Sequence, residues 1–206
     1  MNAQEAQNIK WSENIIIVDG DYIDHVAFDL IVNFERMLNR RIPAADFSQW
    51  AVNIALDGRL KSGNHETQVV LLHDKQNPKL ENFAPADYVK ELNGQAFKDP
   101  QLGEFIINAI ATDDEVAEKD NVLLDLLKTV LSHEEVKRIM LVPNAENSHL
   151  ISTLRSTLRD ADDELKHITL FAMQPLEGGN FKQQILGYSL LNAMGISSSE
   201  IEQKIK

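Results

Sequence analysis

Ile15-Ile16-Ile17-Val18-Asp19-Gly20-Asp21-Tyr22 is the stretch on which the reading of this 206-residue chain turns. Four β-branched residues in succession, with no polar alternation, predict a strand buried on both faces, as at the centre of a parallel sheet. The strand runs straight into two carboxylates. Ligands of open α/β sheets bind outside the carboxyl ends of the strands, so Asp19 and Asp21 become candidate functional residues. The competing role for both is a turn and a helix cap, to which Asp is equally suited.

Working outward, similar apolar runs predict further strands at 67–72, 105–110, 138–142 and 168–171. Helical spacing fills the intervals. Val26, Leu30, Phe34, Met37 and Leu38 mark a helix over 24–40 that Pro43 breaks. Asp46 is a candidate N-cap for a second helix carrying Phe47, Trp50, Ile54 and Leu56 up to Gly58. Residues 24–60 therefore read as a helical insertion before the second strand. Further helices are expected at 86–92, 122–131, 148–158 and 181–194, with a tail helix at 198–205, so that helices occupy much of 181–205. The acidic stretch from Asp113-Asp114-Glu115 to Asp120 reads as solvated loop. Strand and helix alternate without an expected hairpin. The reading is α/β: three layers, a five-stranded, mainly parallel central sheet, and one domain over 1–206.

Composition removes several function classes. Lys plus Arg total 20 against 32 Asp plus Glu, a formal charge of −12, which disfavours nucleic-acid phosphates as a partner. The chain has no Cys, which excludes disulfides, thiolate catalysis and sulfur-based zinc sites. Neither a phosphate-cradling glycine loop nor a G-x-S-x-G elbow is present. The six His residues (25, 65, 73, 133, 149 and 167) show no H-x-H or H-E-x-x-H spacing. No run approaches the ~18 apolar residues of a membrane span, and residues 1–10 are polar; no membrane association and a cytoplasmic location are the expectations.

What remains is a set of carboxylates at corresponding ends of different elements: Asp19 and Asp21, Asp74, Asp120 and Glu146. Such a set suits Mg²⁺ or Mn²⁺, hard ions that take oxygen ligands and can aim a water at a phosphodiester. The bland explanation is that acids are common in an anionic chain and favoured at helix N-termini.

The order of these pieces resembles the NYN domains of the PIN-like nuclease superfamily, over residues 15–171. Val18-Asp19-Gly20-Asp21-Tyr22 is similar to that family's strand ending in Asp-Gly-x-Asn, and Glu118-Lys119-Asp120-Asn121-Val122 to its Lys-and-Asp entry into an apolar helix. Residues 139–147, ending in Pro143-Asn144-Ala145-Glu146-Asn147, stand where the family has a strand running into Ser-Gly-Asp-x-Asp. The resemblance implies a PIN-like (Rossmann-like) topology and a metal-dependent ribonuclease or phosphodiesterase. Its catalytic acids would be Asp19 and Asp120, and its Mg²⁺ or Mn²⁺ ligands Asp19, Asp120 and Glu146. Asp21, Tyr22, Asp74, Asp125, Asn144 and Asn147 would support them. Tyr22 stands in place of Asn, however, and Ala145 and Asn147 in place of paired Asp residues. The implied activity is therefore weak or absent, and a binding module that engages a protein or a second copy, with RNA disfavoured, is equally implied. Asp19-Gly20-Asp21 also resembles the opening D-x-D of haloacid-dehalogenase-like phosphatases, in which Asp19 would be the nucleophile and Asp21 the general acid.

Overall fold

The computed structural model describes residues 10–112, 116–161 and 164–205. Nine strands are present among them: β1 (Asn14–Asp19), β2 (Ala45–Asp46), β3 (His65–Asp74), β4 (Phe83–Ala84), β5 (Ala96–Asp99), β6 (Gly103–Thr112), β7 (Arg138–Val142), β8 (His167–Ala172) and β9 (Lys182–Ile185). The helices are α1 (Gly20–Leu38), α2 (Phe47–Asp57), α3 (Val116–Ser132), α4 (Ser148–Leu158), α5 (Leu186–Ala193) and α6 (Ser198–Ile205), with a π-helical turn at Tyr88–Leu92.

Every residue of β1 is buried, and the strand pairs in parallel with β3 on one side and β7 on the other. It holds the middle of a seven-stranded sheet of order β5-β6-β3-β1-β7-β8-β9. Counted along the chain, the six parallel strands lie in the order 3-2-1-4-5-6, that of a doubly wound sheet, whose crevice opens where the winding reverses, beside β1. Alternation along the strands builds two cores. Ile16, Val18, Val69, Leu71, Met140 and Val142 face α1, α2 and α5. Ile15, Ile17, Val70, Leu72, Ile139 and Leu141 face α3 and α4. The result is three layers, with helices on both faces.

Local chemistry sets the helix limits. Asp19 caps α1 by accepting from the Tyr22 amide at 3.0 Å, and Asp46 caps α2 by accepting from the Gln49 amide at 2.9 Å. The expected break at Pro43 comes earlier: α1 stops at Leu38 because Asn39 takes a left-handed conformation at φ 52°. Four other expectations are corrected. The sheet has seven strands rather than five, because β5 adds to one edge as the antiparallel arm of a hairpin with β6 and β9 adds to the other. The helix expected over 86–92 is the five-residue π-helical turn, capped by Asp87, which accepts from the Val89 and Lys90 amides. The helix expected from 181 begins at Leu186. Gln183 holds the preceding segment extended by accepting from the Leu176 amide at 2.8 Å and donating to the Leu176 carbonyl at 2.7 Å. Of the loop expected from Asp113 to Asp120, residues 113–115 lie outside the described residues, and 116–120 instead form the start of α3. Among those described, no helix is long and apolar enough to cross a membrane.

Ile17→Ala tests the central place of β1. With Ile17 fully buried between two paired strands, the substitution is expected to lower the unfolding free energy by about 3–4 kcal/mol in urea denaturation. A loss below about 1 kcal/mol would contradict that placement.

Candidate functional site

The chain leaves β1 and enters α1 with no intervening loop, which places Asp19 and Asp21 on the first turn of the helix at the carboxyl edge of the sheet. Gly20 lies between them because there is no room for a side chain: a Cβ would collide with the Tyr88 hydroxyl and stand 3.1 Å from the Leu72 carbonyl oxygen. From the opposite face, α3 sends Lys119 across the same edge. Its ammonium lies 2.8 Å from Asp19 Oδ1 and 2.6 Å from Asp21 Oδ2. Asp19 is 1% exposed and Lys119 9%, so this is a desolvated ion bridge between helices of opposite layers. Burial works against both charges. At Asp19 it outweighs the nearby ammonium and raises the carboxyl above its usual range. At Lys119 burial is outweighed by Asp19 and Asp21, and the amine is held above its usual range.

Asp21 is fully engaged. Its Oδ2 also accepts from the Asp74 amide and its Oδ1 from Asn77 Nδ2, both at 2.9 Å. One turn further, Asp24 Oδ1 accepts from the Asn82 amide at 2.8 Å, and Asn82 Nδ2 donates to the Asp24 carbonyl at 3.2 Å. Asp21 and Asp24 thus staple the segment 74–82 onto α1. Beneath it, the His73 ring stacks on Tyr88 with centroids 3.8 Å apart and planes 8° from parallel. His73 Nδ1 lies 2.9 Å from the Asp74 carbonyl and 3.1 Å from that of Asn77; since both can only accept, Nδ1 carries the proton.

The remaining predicted residues separate. Asp120 is buried, with Oδ2 accepting from Asn147 Nδ2 at 2.7 Å, and burial raises its carboxyl. Asn147 itself caps α4, accepting from the His149 and Leu150 amides. Asn144 accepts from the Glu146 amide in the same loop, which leaves Glu146 exposed. Burial, with the charges of Glu146 and Asp19 behind it, pushes the Tyr22 phenol up to about 12. Asp74 accepts from the Gln76 amide, a turn-forming bond. Asp125 points away on α3 and pairs with Lys128 at 3.4 Å. Among the described residues, no three His, Asp or Glu side chains form a group able to hold a metal ion. Asp19, Asp120 and Glu146, the expected ligand set, are not gathered into such a group. The Lys119 ammonium stands 2.8 Å from Asp19, and Asp120 is tied to Asn147.

Sequence reasoning gave Lys119 no role of its own. The available signal was its position on the buried stripe of α3 with Leu123, Leu126, Leu127 and Val130, where an unpaired Lys would be costly. The His73–Tyr88 stack joins residues 15 apart across an irregular segment, and neither position carried a pattern.

A family model matches residues 8–201. The chain belongs to DUF6621, a family of unknown function. No curated protein and no solved structure matches it. Membership in DUF6621 assigns no chemistry, so the site has to be read from its own contacts.

Lys119→Met removes the one cation between two carboxylates and is expected to cost about 3–5 kcal/mol at pH 7, part of which Asp19→Asn restores in the double variant. A loss below about 1 kcal/mol, or strict additivity of the two changes, would show that the bridge contributes little. A second test concerns Asp24. Burial outweighs its hydrogen bonds and raises its carboxyl, so the folded protein holds this proton more tightly than the unfolded chain. The associated stability is full below the unfolded carboxyl range and is lost as pH rises through the folded value. Asp24→Asn should therefore flatten the decline from about pH 4 to pH 7 and be at least as stable as the parent at pH 7; an unchanged slope in pH-dependent denaturation would contradict this.

Proposed function

We propose that the chain is a divergent PIN/NYN-like module in which the ancestral divalent-ion position has become an internal ion bridge, so that phosphodiester cleavage is weak or absent and the protein works by binding. The observation that carries this reading is the Lys119 ammonium within 2.8 Å of both Asp19 and Asp21. A divalent cation at Asp19 would meet a fixed positive charge there, and in a desolvated setting that repulsion is strong. Three placements support the relation to PIN-like domains. Asp19 ends the central strand, Lys119 and Asp120 enter the helix after β6, and the loop of Asn144, Glu146 and Asn147 follows β7. Were activity retained, Asp19 and Asp120 would be its acids and Mg²⁺ or Mn²⁺ its ion. A protein or a second copy is a better partner than RNA for a chain of formal charge −12.

The haloacid-dehalogenase-like alternative draws on one contact, the Lys119 ammonium touching both members of Asp19-Gly20-Asp21. It is weakened by Asp21, whose oxygens already accept from an amide, a carboxamide and an ammonium, leaving it poorly placed to deliver a proton.

Mn²⁺ and Mg²⁺ titrations by calorimetry, beside cleavage assays on single-stranded RNA and a phosphomonoester, separate these readings when run with Asp19→Asn. The expectation is no saturable binding up to about 10 mM metal and no turnover above the variant. Mn²⁺-dependent RNA cleavage lost in Asp19→Asn would replace the binding module with a nuclease. Phosphomonoester hydrolysis lost in Asp19→Asn and Asp21→Asn would replace it with a phosphatase.

A further inference from the structure

Beside α1, the stapled segment 74–82 walls a cleft of about 660 Å³ that meets the ion bridge at Asp21. Its lining includes Asp21, Asp24 and Glu81 against a single Lys, Lys79, a formal balance of −2. The floor is aromatic: Phe28 lines the cleft and is 51% exposed, unusual for a large apolar side chain on a helix. The polar groups are biased in one direction. The Asn77 and Asn82 carboxamides each give their Nδ2 to the staple, which leaves the carbonyl oxygens as their uncommitted atoms. Lys79 is engaged by Glu81 at 3.1 Å. Asp24 is acted on by burial, by hydrogen bonds from the Asn82 and Glu81 amides and by repulsion from Glu81, with no cation of the described residues among its influences. Behind this wall, Tyr88 is 1% exposed, its hydroxyl has no hydrogen-bond partner among the described residues, and the charges bearing on it most are those of Asp21 and Asp24, both of which line the cleft.

Lys79 and His25 also line the cleft, but three carboxylates, two carboxamide oxygens and an aromatic face suit an organic cation better than an anion. We infer that the cleft walled by Asp24, Phe28, Asn77, Pro78, Glu81 and Asn82 binds an alkylguanidinium or alkylammonium group. The aliphatic stem lies along Pro78 and the cationic head over the Phe28 ring, with its N–H donors directed to Asp24 and the carboxamide oxygens. A bare metal ion is a poorer complement: the acceptors surround a space large enough for several heavy atoms, and no three of the described acids converge on a point. The overall charge of −12 draws such cations in from a distance. The site is separate from the Asp19–Lys119 bridge, so the metal and cleavage assays above do not decide it.

The chemistry has two sources, a free polyamine or an arginine carried by a polypeptide, and one experiment distinguishes them. Full-length protein labelled with ¹⁵N is titrated with spermidine, with a blocked Gly-Arg-Gly peptide and with the matching citrulline peptide, which keeps the shape without the charge. The expected result is saturable shifts at the Phe28, Asn77 and Asn82 amides for at least one cationic probe and none for citrulline. Phe28→Ala should weaken binding by about three- to fivefold. Asp24→Asn, which is expected to fold at least as well as the parent, should weaken it too. Spermidine alone would assign the cleft to free amines, and the arginine peptide alone to a protein side chain. Unsaturable shifts spread over the surface, equal binding of citrulline, or affinity unchanged in both variants would overturn the inference.

Discussion

The ion bridge from Lys119 to Asp19 and Asp21 is the constraint on which the carboxyl edge of this sheet depends. Its three charges come from helices packed on opposite faces, and they meet past the end of the strand that separates the two cores. Desolvating a carboxylate or an ammonium costs several kcal/mol, so neither Asp19 nor Lys119 is tolerable alone at its depth, whereas Asp21 keeps part of its hydration. The bridge is therefore better understood as a device for position than as a source of net stability. It fixes where α1 starts relative to α3, and the direct passage from β1 into α1 leaves the chain no slack by which to evade it.

From that fixed point, polar contacts propagate outward. Asp21 divides its oxygens between Lys119, the Asp74 amide and Asn77, and so the ion bridge and the segment after β3 share one carboxylate. Asp24 repeats the arrangement one turn along with Asn82. The His73–Tyr88 stack supports the same segment from below, and Tyr88 crowds Gly20, closing the circuit back to the first turn of α1. Carboxylates that look free in a sequence are here consumed by backbone amides. A group committed to two or three donors is an anchor, and an anchored loop can present a formed cleft without ordering it anew when a ligand arrives.

The sequence was most informative where burial alone decides structure. Ile15 to Val18 have one stable environment, between two parallel neighbours, and runs such as Val69 to Leu72 repeat the argument. Edge strands lack that signature. Lys182–Ile185 and Ala96–Asp99 are short and half-solvated, and they are extended because each pairs with a neighbouring strand at the sheet edge, β9 with the help of a single Gln side chain, which the periodicity of the segment itself cannot register. At the site, the positions were legible and the roles were not. Asp19 stands where the strand-end argument placed it, yet its partner is a residue 100 positions later whose side chain could equally have snorkelled to water. Asp120 and Glu146 appear equivalent to Asp19 by placement. Their fates diverge through Asn147, which caps α4 with one side-chain atom and holds Asp120 with another.

The doubly wound order explains why two such different features share one end of the molecule. All six parallel strands deliver their carboxyl ends to the same edge, so the loops after β1, β3 and β7 collect there whatever chemistry they carry. An edge of this kind concentrates acids in an anionic chain, and the repulsion between them has to be relieved by a metal ion, by protonation or by an internal cation. Near β1 this chain takes the third course, with Lys119. Over the cleft beside α1 no equivalent cation among the described residues is bound to Asp24, and the cleft's carboxylates line a space open to solvent. One covalently attached ammonium thus offsets the charge at the centre of the edge, while the carboxylates of its flank stay beside an open cleft.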